Sequence, residues 1–349
     1  MDELRQIQDD PADQAVSVLI INPELISLIN SWTEIPTVFP KDFPSELQHF
    51  FGFYREVSKK VPSEILKKGQ ELFNQKGDLY LAMLGFYSLP YCYAFADGAQ
   101  VLVRSKRILE SIGDRLGETG AFVLEIFKPG AFTTSQEGYL VCAKVRLIHA
   151  FSRFFVEKYA NDWNPDFGKP INQEDMIGTN LAFSLIVLRG WRKLGFRVSA
   201  EETTLIMQYW KWVGNLMGIN TDFWPDNSKE AFELEKLIRK RHLKGSEAGR
   251  KLIGALKNYF QSTIPGPILS SQTESMLAFF LGKEASKALD LTSGISIQGD
   301  ILGQLFKLSG WRNSGSAKGY PSFARQLKTS QVEQFGKELR ISLPELNRS

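Results

Sequence analysis

The stretch GYLVCAKVRLIHAFSRFFVEKYA, residues 138–160, is the clearest helical pattern in the chain, and almost nothing elsewhere alternates with the two-residue period of a strand. A sequence without strand patterning has to bury its apolar residues by packing helix on helix. Further helical runs cover PSEILKKGQELFNQ, where Ser63 reads as an N-cap, and residues 77–127, broken or kinked at Pro90. They continue over 171–195, with Asn172 and Asp175 spaced like a capping box and Gly195 as the stop, then over 200–219, 228–260 and 273–289. The pattern predicts an all-α protein with one large helical domain. Residues 1–60 form an arm of short helices punctuated by prolines 11, 23, 36, 40 and 44. Residues 61–300 form the main helical body, and 301–349 an extension packed on it.

With 349 residues, 43% of them apolar and 23% charged, the chain can build a substantial core. A net charge of +3 is too small to argue for nucleic acid as a partner. The basic segment LIRKRHLKG follows the partly acidic KEAFELEK, so it reads as a solvated helix face, and His242 with it. His49 reads as a packing or surface residue. Cys92 and Cys142 are too few for a disulfide framework and read as small buried hydrophobes. No apolar run reaches the roughly 18 residues of a membrane span; the nearest, VSVLIINPELISLI, is interrupted by Asn22, Pro23 and Glu24. The polar opening MDELRQIQDD lacks the features of a secretory signal, so a cytoplasmic location is expected.

His149 is one of three histidines, and at about 100° per residue it shares a stripe with Arg146 and Arg153. Leu147, Ile148, Phe151, Phe154 and Phe155 make the surrounding faces apolar. A neutral imidazole on an apolar helix suits the axial position of haem iron, which needs a single protein ligand, and arginines suit the propionates. The competing reading is a core histidine beside two arginines paired with acids elsewhere. Upstream, Arg115 and Thr119 share a helix face, and Gly113, Gly117 and Gly120 let another surface approach closely, whether a flat macrocycle or a neighbouring helix. No HExxH, CxxC, P-loop, GxSxG or GxGxxG-after-strand motif is present, so single-histidine haem is the simplest redox option.

Four segments, RLGETGAFV, KVRLIHAFSR, KPINQEDMIGTNLAFS and YWKWVGNLMGI, stand in an order and at separations that resemble the latex clearing protein family of rubber oxygenases. The likeness extends to the farnesyl-cleaving oxygenases of mycophenolic acid biosynthesis, and covers roughly residues 70–290.

The resemblance implies an all-α fold with a globin-like, haem-b-binding core. His149 matches the axial histidine, and Arg146 and Arg153 the arginines that flank it. Arg115 and Thr119 match distal-side residues. It also implies dioxygen-dependent cleavage of C=C bonds in a hydrophobic, polyprenyl-like substrate. Two departures stand out. Glu118 occupies a place where some members carry a lysine, and could take over a polar role there. The upstream glutamate proposed as a base has no clear counterpart, Asp97 and Glu110 being only nearby acids. Two alternatives stay open: a non-enzymatic haem or gas-binding protein, and a haem-free binder of apolar ligands on the same scaffold. Tyr209, Trp210 and Trp212 read as core, with a tunnel lining as the alternative.

Overall fold

Asn22 and Pro23 end the most apolar stretch of the sequence, and the chain turns there: the segments Glu3–Ile21 and Glu24–Ser31 meet at a bend of 118°. The computed structural model describes residues 1–104, 111–264, 270–292 and 319–346. Among these no strand forms, only an isolated bridge between Phe95 and Leu243, and no single helix is long and apolar enough to cross a membrane. The fold is all-α.

The N-terminal helices are α1 (Asp10–Ile21), α2 (Glu24–Ser31) and α3 (Ser45–Ser58). They are followed by α4 (Ser63–Met83), α5 (Leu89–Tyr93), α6 (Ala96–Arg104), α7 (Ile112–Phe127) and α8 (Glu137–Tyr159). Next come α9 (Gln173–Leu181), α10 (Val187–Lys193), α11 (Ala200–Leu216) and α12 (Ser228–His242). The last are α13 (Glu247–Thr263), α14 (Thr273–Ala288) and α15 (Tyr320–Phe335). One hydrophobic core runs through them, from Leu4 to Leu343. The expected boundary at 300/301 lies outside the described residues.

Several termini follow from the sequence. Asn172 accepts a hydrogen bond from Asp175 N at 3.0 Å, and Gly195, at φ +79°, closes α10 in the left-handed conformation that glycine adopts without strain. Ser63 does not cap α4: it lies in the first turn, Pro62 precedes it, and its hydroxyl makes no cap bond. A cap the sequence reading passed over is Ser199–Glu202, a reciprocal capping box that starts α11. Pro90 does not break the chain into separate helices. A π-helical segment, Leu84–Ser88, leads from α4 into α5 and places the proline in the first turn of α5, where its missing N–H costs nothing.

A second π segment, Ala182–Ile186, joins α9 to α10 and packs against the first. Such segments misalign backbone carbonyls. Here Ser88 Oγ donates to Ala182 O at 2.7 Å and the Tyr80 hydroxyl donates to Phe183 O, so the centre of the bundle leaves those acceptors satisfied.

His242 departs from its expected place on a solvated face. It is 7% exposed, with Nδ1 3.1 Å from Asp97 and Nε2 3.1 Å from Glu174. Arg5 enters the same cluster at 3.5 Å from Glu174 and 3.1 Å from Asp175, and Lys244 reaches Asp97 at 3.1 Å. The cluster ties the N-terminus to α6, α9 and the end of α12. Periodicity could not reveal it, because its members come from four distant segments.

Burial pulls the His242 pKa down, but the two carboxylates outweigh it and the pKa is raised. The stabilisation is therefore full below the unfolded-state pKa of about 6.5 and is lost as pH rises through the raised folded value. Comparing wild type with His242→Gln by thermal melting between about pH 6 and 9 should show the wild-type advantage shrinking as pH rises. A difference independent of pH would show that the imidazolium is not what holds the cluster.

Candidate functional site

Helix α8 carries the site, and its rotation about its own axis is fixed by α1. Arg146 and Arg153 are seven residues apart, two helical turns, so both point along one line. Arg146 Nε and Nη2 grip Asp9 at 2.6 and 2.7 Å, and Arg153 Nε donates to Asp13 at 2.6 Å. Asp9 sits at the N-cap position of α1 but makes no cap bond; its carboxylate is turned to Arg146 instead. Phe50 and Phe53 of α3 cover the Arg146 guanidinium, with ring centroids 5.3 and 5.0 Å away.

His149 lies between the two arginines in sequence, about 40–60° around the helix from their line. Neither ring nitrogen has a hydrogen-bond partner among the described residues, and Nδ1 is fully buried. Protein surrounds the ring, yet the residue is only half-buried by accessible surface, so space remains beside it. Burial first, then the charges of Arg153 and Arg115, pushes its pKa down to about 3. The imidazole is neutral across the physiological range, the form that donates a lone pair to a metal.

Arg153 is 1% exposed and leaves Nη1 and Nη2 buried without partners. Two unpaired guanidinium nitrogens at that depth are a costly arrangement unless an anion completes it. Arg146 has only Nη1 in that state, the rest of its fork being taken by Asp9.

Helix α7 supplies the facing groups. Arg115 is close enough for its charge to act on His149. Its side chain is 40% exposed and pairs through Nη1 with Glu118 at 3.2 Å, one helical turn on. The Thr119 hydroxyl is half-buried and donates to Arg115 O at 2.8 Å, leaving its oxygen able to accept. Thus His149, Arg153 and Arg115 share one neighbourhood, with Glu118 and Thr119 along α7, while Arg146 turns to α1 and α3.

The glycine stripe of α7 receives neighbouring protein. A Cβ at Gly113 would fall 2.4 Å from Tyr259, and one at Gly117 2.5 Å from Leu339. Gln331 Nε2 donates to Gly117 O at 3.1 Å, so α13 and the C-terminal segment take the close approach. Asp97 belongs to the His242 cluster, and Glu110 lies outside the described residues. His49 is exposed. Tyr209 and Trp210 are core: Tyr209 stacks on Phe127 at 4.4 Å, and Trp210 Nε1 donates to the Tyr80 hydroxyl at 2.7 Å. Trp212 is half-buried and meets Tyr139 edge-on. Cys92 and Cys142 are free thiols; burial pushes Cys92 up to about 12 and Cys142 higher, so neither forms a thiolate readily.

The architecture is that of a latex clearing protein. The solved structure of latex clearing protein LCP in the closed state superposes with a TM-score of 0.69 over 93% of this chain and 84% of that one, at 18% identity. Residues 93–305, more than half of the chain, match the model of the ER-bound oxygenase mpaB/B'/rubber oxygenase catalytic domain, and the chain belongs to that family of oxygenases. No curated protein sequence matches it.

Removing one partner of a buried pair strands the other, so Asp9→Ala should cost about 3–5 kcal/mol in chemical denaturation. Asp13→Ala should cost less, because Asp13 is 31% exposed. Equal and small losses would mean that these pairs do not hold α8.

Proposed function

We propose that the protein is a haem-b-dependent oxygenase that cleaves C=C bonds of a hydrophobic, polyisoprenoid-like substrate with dioxygen. One observation carries the reading. A neutral, half-buried histidine whose Nδ1 is buried without a partner lies near an arginine with two unpartnered buried nitrogens, which is the donor set a haem asks for. Family membership agrees with it.

In this reading His149 would hold the iron, and Arg153, with Nη1 and Nη2 unpartnered, would pair with the carboxylates of the macrocycle. The haem, when bound, supplies the redox chemistry with dioxygen. Arg115 would offer its guanidinium to stabilise negative charge on an oxygen of the reacting groups. Glu118 orients the Arg115 guanidinium through their ion pair, and Thr119 offers a hydroxyl oxygen to a polar group or water. The aromatic-rich core around α8 keeps bulk water away and aligns an apolar chain. Across the whole reaction one C=C and one O=O bond break and two C=O bonds form, so both oxygen atoms end in the products.

A second reading has its own observation. Because Arg146 and Arg153 already pair with Asp9 and Asp13, they have a structural role without any cofactor. A haem-free binder of apolar ligands would need nothing more from them.

Absorption spectra of protein supplied with haemin separate the two. Wild type should show a Soret band and His149→Ala should lose it. Arg115→Met should keep the band and lower oxygen uptake with a polyprenyl substrate by about 10²–10³-fold. Full turnover in either variant defeats the assignment.

The pH dependence is a separate check. A histidine pKa depressed from about 6.5 in the unfolded chain favours the folded state above that value, and the contribution fades as pH falls toward the folded pKa of about 3. Haem retention should therefore show no transition near pH 6.5. A Soret band lost with a midpoint there would rule out the buried neutral imidazole as ligand.

A further inference from the structure

The glycine face of α7 is closed by the end of the chain, and this closure differs from the rest of the core. Helix α15 packs across α4 and α7, yet Ser322 and Gln331 are its only buried residues. Phe323, Leu327 and Phe335 are half-buried, and Val332 is 48% exposed. What seats the segment is a row of single side chains in glycine notches. A Cβ at Gly77 of α4 would fall 2.7 Å from the Phe323 ring, and one at Gly120 3.4 Å from Leu327. Leu339, beyond the helix, fills the notch at Gly117. Gln331 secures that contact, because its Nε2 donates to Gly117 O at 3.1 Å while its Oε1 accepts from Leu339 N at 3.0 Å.

Asparagines of the main body pin both ends. Asn74 Oδ1 of α4 accepts from Tyr320 N at 2.7 Å. Asn30 of α2 accepts from Leu343 N at 2.8 Å and donates to Leu343 O at 3.1 Å, and Leu343 is 2% exposed. A segment held by notches and end bonds, with little apolar burial between them, opens at lower cost than core helices do, and opens as a unit. It also lies beyond residues 93–305, the stretch that the oxygenase family model matches.

The opposite side of α7 belongs to the site. Gly117 is about 160° around the helix from both Arg115 and Thr119. Helix α7 is thus packed between α8 on one side and α15 on the other. We propose that residues 320–346 form a strap that docks and undocks as a unit, and that its docking holds α7 where Arg115 and Thr119 face the site. Undocking leaves the back of α7 without support and loosens the polar groups on its front. The device operates with or without a haem.

The test is amide hydrogen exchange of the full chain, read by mass spectrometry. Asn30→Ala removes the two bonds to Leu343 and touches no residue of α7. Exchange over 320–346 should rise by about tenfold, the order that two net hydrogen bonds contribute. Exchange over 112–127 should rise with it, while 137–159 keeps its protection. Leu339→Ala, which empties the Gly117 notch from the strap side, should give the same pattern. A strap that exchanges faster while α7 stays protected overturns the proposal, because the strap would then be only a cover. Equal loss of protection in every helix overturns it too, since the segment would then unfold with the core. No change in either variant shows that these contacts do not hold the strap, and is equally fatal.

Discussion

Two arginine–aspartate pairs, the buried Arg146 with Asp9 and the buried Arg153 with the partly exposed Asp13, decide how α8 is turned. A helix packed only by apolar side chains can rotate by a fraction of a turn at modest cost, whereas a charge pair sunk in the core cannot be broken without stranding an ion. Because the arginines lie two turns apart, they clamp one line of α8 against α1. His149, lying 40–60° off that line by the roughly 100° step of the helix, is thereby turned beside α1, within reach of the charge of Arg115. The N-terminal arm is thus part of what aims the histidine.

The central bundle meets a different constraint. Two π segments, Leu84–Ser88 and Ala182–Ile186, lie against each other and shift carbonyls out of helical register. Ser88 and Tyr80 take up the carbonyls of Ala182 and Phe183, and Trp210 in turn donates to Tyr80. Tyr80 joins three helical elements in one chain of hydrogen bonds inside an apolar core, where an unmet polar group is expensive.

The site itself combines a depth gradient with a charge gradient. Arg153 is sunk completely, His149 keeps some accessible surface, and Arg115 stands 40% exposed at the rim, held by Glu118. The residue beside Thr119, Glu118, is itself the partner of a cation. In this chain the positive charge facing His149 comes from Arg115 alone on α7, steered by its own neighbour.

Helix content was legible in the sequence because it rests on local periodicity, and the same periodicity put Arg146, His149 and Arg153 on one stripe of an apolar helix. The family likeness was legible because four segments keep their order. What the arginines bind was not, since Asp9 and Asp13 lie some 140 residues away and nothing local pairs them with α8. Nor could spacing tell that the α7 glycines receive Tyr259 and Leu339, or that His242 joins a buried cluster of charges from four segments. The sequence determined the helices and which side chains share a face, because those depend on neighbours along the chain. Only the tertiary structure decided which polar groups are satisfied and which are left open, because satisfaction depends on partners brought together by packing.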